Sequence, residues 1–137
     1  MQSQSLTAAA DQTLAAARAA ASGRSASTVY GGHGRALRQT LIALAAGRRL
    51  DDHESPGEAT LHVLRGTVRL GTAGASWDGA AGDHLPIPDA RHHLAALTDA
   101  VVLLTVATRA AAGLGGQLAD AGQADSAGQA DSAGQAD

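Results

Sequence analysis

The sequence contains no cysteine, no lysine and no phenylalanine, and aromatic residues make up only 1% of its 137 positions. Without cysteine, disulfides, zinc ribbons and thiol catalysis are excluded together. The ten basic residues are all arginine. With the alanine and glycine excess, this reads as a composition bias of the genome and not as a functional signal. The hydrophobic share of 45% is mostly alanine. Alanine buries little surface, so at about 25 cal/mol per Å² the larger aliphatic side chains must supply most of the core. Such a chain sustains one domain and excludes a large multi-domain enzyme. A formal charge of −3 lacks the basic excess of a nucleic-acid footprint. The longest apolar run, Ala100 to Ala107, is too short to cross a bilayer. The opening MQSQSLTAAADQ has no positive n-region, and Asp11 and Arg18 interrupt any apolar h-region. The expectation is a soluble, cytoplasmic protein with neither nucleic acid nor membrane as partner.

What is present falls into three parts. Residues 1–27 hold an Ala- and Leu-rich segment, Leu6 to Ser22, closed by Gly23, which predicts a helix. Ala occupies nearly every face of it, so it either caps the core or stays loosely attached, and Ser22 to Ser27 reads as a linker. Gly31, Gly32 and Gly34 around His33 read as a loop. Residues 28–112 carry short segments rich in Leu, Val, Ile and Thr: Gln39–Ala46, Ala59–Leu70, Asp83–Ile87, His92–Leu97 and Ala100–Thr108. Each is bounded by Gly, Pro or Asp, the spacing of an antiparallel sandwich or barrel. Gly66 inside Ala59–Leu70 predicts a hairpin or a sharply bent strand. Gly71–Gly74 and Asp78–Asp83 read as turns, and Pro86 and Pro88 confine their segment to an edge or a bend. Residues 113–137 decay into the repeat AGQADSAGQADSAGQAD. A polar, Ala/Gly-rich unit without β-branched residues cannot bury a core, which predicts a disordered tail.

The stretch from Gly47 through His53, Ser55 and Glu58-Ala59 to Gly66 resembles the first conserved motif of the cupin superfamily. In that motif a Gly precedes a His-x-His pair, a Glu and a closing Gly. Gly47, His53 and Gly66 match; Ser55 stands for the second His and Ala59 for the Glu. The stretch Gly82 to Leu97 resembles the second motif, with Gly82, Pro88 and His93 matching, Ala90 for the usual Gly and Leu97 for the usual Asn. The resemblance spans roughly Leu37 to Thr108. It implies an all-β chain, a small antiparallel β-barrel of jelly-roll type preceded by the Ala-rich helix, in agreement with the strand pattern. It also implies that His53 and His93 converge inside the barrel, with Ser55 beside them, as a polar spot in an apolar pocket lined by Leu61, Val63, Leu85, Ile87 and the Ala100–Val106 run.

Cupins that hold a metal use three His and one Glu or Gln. A divalent transition metal needs three or four N or O donors converging in a shielded pocket. By the resemblance only His53 and His93 survive, so the motif is degenerate and no cofactor is expected. Glu58 is one residue from the Glu position and faces away on a regular strand, although a bulge or slip at Pro56-Gly57 would turn it inward as a third ligand. His62 and His92 are expected to point outward, where they could pair across strands and collect adventitious metal. His84 is placed at the Pro86 bend and His33 in the Gly loop. Arg48, Arg49, Asp51 and Asp52 read as solvated loop charges, and Trp77 as a cover over one end of the barrel. No G-x-S-x-G elbow and no Walker loop is present.

Three readings follow. The first is a cupin of unassigned activity binding a small organic ligand. The second is a metal-dependent cupin enzyme, of dioxygenase or isomerase type, using His53, His93 and a third ligand such as Glu58. The third is an accessory transcriptional regulator, although no helix-turn-helix with a basic recognition helix is visible. A chain with so few large apolar residues gains by burying an edge against a copy of itself, so a homodimer is expected, with the segment from Thr28 as an exchanged strand.

Overall fold

The computed structural model describes residues 1–55 and 57–107; the remainder of the 28–112 segment and the 113–137 repeat lie outside the described residues. One helix, α1 (Leu6–Ala19), precedes nine strands: β1 (Arg24–Tyr30), β2 (Leu37–Leu44), β3 (Arg49–His53), β4 (Glu58–Arg65), β5 (Thr67–Gly71), β6 (Ser76–Ala80), β7 (His84–Pro86), β8 (His92–Ala96) and β9 (Ala100–Ala107). The strands form two antiparallel sheets, one ordered β1-β2-β9-β4-β7 and the other β3-β8-β5-β6, an arrangement that fits a jelly roll.

Helix α1 begins where Ser5 caps it, its hydroxyl oxygen accepting the Ala8 N–H at 3.1 Å. Ala10, Thr13, Leu14 and Ala17 form its buried stripe. They pack with Leu41, Ala43, Val101 and Leu103 on the outer face of the larger sheet, so the helix caps a core and is not loosely attached. Arg18 to Asp99 and Arg65 to Asp11 add ion pairs between helix and sheet; exposed as they are, each is worth about 0–1 kcal/mol. Between the sheets, Leu44, Leu61, Val63, Val68, Leu70, Leu94, Ala96, Ala100 and Val102 make the main core.

Several sequence expectations change. The segment read as a linker begins β1 at Arg24, and β1 pairs with β2 of the same chain along its length, so the stretch from Thr28 is already paired without exchange. The arginines read as loop charges open β3 at Arg49. Asp78 lies within β6, where Arg69 on β5 donates to it at 2.7 and 2.9 Å. Arg65-Gly66 does not close a hairpin: β4 pairs with β7 and β9, whereas β5 pairs with β6 and β8. The chain bends at Gly66 and passes from one sheet to the other. Gly66 has φ +73°, and a Cβ there would collide with the Asp99 carbonyl oxygen and the Thr98 hydroxyl. Of the proline-bearing segment, β7 is indeed an edge strand.

Gly66→Ala is therefore expected to lower stability by about 2–4 kcal/mol, strain and collision acting together. Gly82→Ala, at φ +97° in open space, should lose only about 1–2 kcal/mol from strain alone. Urea midpoints of the two variants check the difference.

Candidate functional site

The smaller sheet sets which histidines face the core. Leu94 and Ala96 on β8 are buried, and alternation along the strand carries His92 to their face and His93 to the other. His92 is only 3% exposed. The expected orientations of His92 and His93 are thus reversed. The His93 ring lies against Gly71, where a Cβ would sit 2.5–2.6 Å from ring atoms. Its Nδ1 is 3.1 Å from Asp52 Oδ1.

On β3 the register slips between Leu50, opposite Leu94, and His53, opposite His92. This bulge lets Leu50 and His53 share the inner face while Asp52 turns outward to His93. The His53 and His92 rings meet edge to face, centroids 4.4 Å apart and planes at 62°, with His92 buried and His53 exposed at the rim. His92 Nδ1 lies 2.8 Å from the Ala90 carbonyl oxygen and His53 Nδ1 lies 2.9 Å from the Asp51 carbonyl oxygen. A carbonyl only accepts, so each neutral ring carries its proton on Nδ1 and leaves a lone pair on Nε2. The pair thus offers two hydrogen-bond acceptors.

Around this pair the inner face is apolar. Ile42, Leu50, Leu85, Ile87, Leu104 and Trp77 are partly buried and pack on the main core; the Trp77 ring lies over Gly79. Arg38 adds a cation. It stands opposite Val106, which stands opposite Ala59, on the face that Thr40, Ile42 and Leu44 share. The sequence reading missed Arg38, although its even spacing from Ile42 and Leu44 was a usable signal.

The other expected site residues lie elsewhere. Ser55 follows β3, and its hydroxyl donates to the Gly57 carbonyl at 3.1 Å. Glu58 is exposed at the start of β4, one residue before buried Ala59. Glu54 pairs with Arg91. His62 is opposite His84 on the larger sheet, ring centroids 6.4 Å apart, so it does not pair with His92. His33 is exposed between β1 and β2.

The cupin likeness implies a metal, and these residues do not fit one. Ala59 occupies the inner-face position of the carboxylate ligand, and His93 and Glu58 point away from His53. Among the described residues, no three His, Asp or Glu side chains converge to hold an ion. Two imidazoles are too few.

Burial pushes His92 below the usual histidine value of 6.5, the Ala90 carbonyl opposing this and the neighbouring His53 and His93 adding to it. The native ring resists a proton that the unfolded chain accepts. Its contribution to stability is therefore full above about pH 6.5 and declines as pH falls from there towards the lower native value. The denaturation midpoint should drop between about pH 7 and 5, and His92→Gln should flatten that drop. The carboxylates held low by hydrogen bonds to arginine or backbone, Asp78 and Asp99, act at more acidic pH.

No protein-family model and no curated protein matches the chain. Solved structures do. An RmlC-like cupin from Desulfovibrio desulfuricans is 25% identical, over 78% of this chain and 96% of that one, with a TM-score of 0.60. A cupin superfamily protein from Desulfitobacterium hafniense is 16% identical over 62% and 77%, TM-score 0.56. An HTH-3 family transcriptional regulator from Vibrio cholerae is 22% identical over 61% of this chain and 50% of its own, TM-score 0.53. The two facing sheets, the strand order and these neighbours agree: the chain has the fold of a small cupin.

Proposed function

We propose that this chain is a small-molecule-binding cupin whose activity does not depend on a metal. The single observation that carries this reading is the contact of exposed His53 with buried His92, with Ala59 in place of the carboxylate ligand. Two imidazole lone pairs beside Ile42, Leu85, Ile87 and Leu104, with Arg38 on the same face, suit a compact organic molecule. Its apolar body would occupy a chamber between these side chains, its hydroxyl or N–H groups would donate to Nε2, and an anionic group would be received by Arg38. The site expected from sequence at His53, Ser55 and His93 becomes His53 and His92, with Ser55 at the margin. The metal-dependent reading would need His93 or Glu58 to turn inward. The regulator reading is not favoured: α1, the one helix among the described residues, is packed on the sheet, with Arg18 tied to Asp99.

A homodimer is part of the proposal. The outer edge of β1 is unpaired among the described residues, and Tyr30 and Leu37 beside it are each 43% exposed. Light scattering after size exclusion should give twice the chain mass.

Protein prepared without a polyhistidine tag should contain no stoichiometric transition metal, and EDTA should leave its melting temperature unchanged. Native mass spectrometry should find a small organic molecule that His53→Ala/His92→Ala releases. A stoichiometric ion lost on His53→Ala would overturn the reading.

A further inference from the structure

The described arginines differ in what they meet. Arg18, Arg49, Arg65, Arg69 and Arg91 each meet a carboxylate. Arg24 and Arg48 form no ion pair among the described residues, yet they line the same cleft. That cleft, of about 350 Å³, is formed by Ser22, Arg24, Gly47, Arg48, Arg49 and Asp51. It lies at the start of β1 and in the β2–β3 turn, at the opposite end of these strands from His53.

Its frame is fixed. Gly23, at φ +69°, accepts the Ala45 N–H at 2.9 Å and donates its own N–H to Ala20, joining the end of α1 to the end of β2. The Arg48 side chain lies over it: a Cβ on residue 23 would be 2.6 Å from Arg48 Cγ and 2.8 Å from Nε. The Arg48 backbone is held on both sides, its N–H donating to Ala45 and its carbonyl accepting from Ala96. The Ser22 hydroxyl accepts the Arg24 backbone N–H at 3.3 Å and donates to the Arg24 carbonyl at 3.4 Å. Asp51 is the one carboxylate present; it is 90% exposed and reaches Arg49 at 3.3 Å. Three guanidinium groups against one carboxylate leave an excess of two positive charges in a concave, polar site.

We propose that this cleft binds a phosphoryl group, as free phosphate or as the monoester of a small organic molecule. A tetrahedral dianion matches the charge excess. Its oxygens suit the paired donors of guanidinium, which recognise phosphate with more directional hydrogen bonds than an ammonium can. The site is separate from the His53 and His92 chamber and stands whether or not that chamber binds an organic ligand.

Calorimetric titration with inorganic phosphate at constant ionic strength tests it. Binding is expected, weakened about tenfold or more in Arg24→Gln/Arg48→Gln, because truncation removes charge-assisted hydrogen bonds. Arg91→Glu, the same change of two charges at a pair outside the cleft, should bind as the parent does. Asp51→Asn should bind more tightly, a gain that misfolding cannot imitate. His53→Ala/His92→Ala should bind phosphate unchanged, which keeps this test apart from that of the chamber. Glycerol 3-phosphate binding more tightly than phosphate would identify a monoester; equal affinity would identify the free anion. No heat of binding overturns the proposal, as does an equal loss in Arg91→Glu, which would show attraction by overall charge alone.

Discussion

Strand β9 is packed on both of its faces, and the rest of the molecule is organised by that fact. In a chain whose apolar content is mostly alanine, one strand carries Val and Leu at successive positions from Val101 to Leu104. Ala100 and Val102 belong to the core between the sheets, and Val101 and Leu103 to the layer under α1. Sitting between β2 and β4, β9 gives both neighbours their register. A strand with no wet face has no tolerance for slippage, since a shift by one residue would exchange two sets of buried side chains. Helix α1 is thus part of the fold's economy, because without it the outer set of Leu41, Ala43, Val101 and Leu103 would face water.

The apolar strands were legible in the sequence for the same reason. β2, β4, β8 and β9 stand close to where alternation and flanking turn residues put them, and two motifs in order identified the cupin arrangement. β1 and β3 were not legible because their side chains are Ser, Arg and Asp, and most are exposed even in the folded chain. Such strands are held by backbone hydrogen bonds to neighbours distant in sequence, which leave no local pattern. The turn at Gly66 was visible as a bend, but which sheet follows it depends on partners that only the assembled fold supplies.

The histidines show a finer limit. Motif matching selected His93, whereas the buried neighbours of β8 select His92. The alternation His92, Leu94, Ala96 contained that answer, because Leu94 has to face the core and its parity decides the rest. The bulge between Leu50 and His53 is different. It brings His53 to the same face as His92, and nothing in Leu-Asp-Asp-His announces it. Half of the site could be read from local order, and the other half comes from a register defect in the pairing of two strands.

The anchoring of the buried His92 ring through Nδ1 has a chemical consequence. Any proton taken up must go to Nε2, because Nδ1 already bears one and keeps its carbonyl partner. On buried His92 a proton would therefore convert an acceptor into a donor while the ring stays in place, and burial defers that change below the usual histidine value. Beside that ring a partner hydroxyl would give way to a carboxylate, a reversal of chemical taste achieved with no movement of the chain.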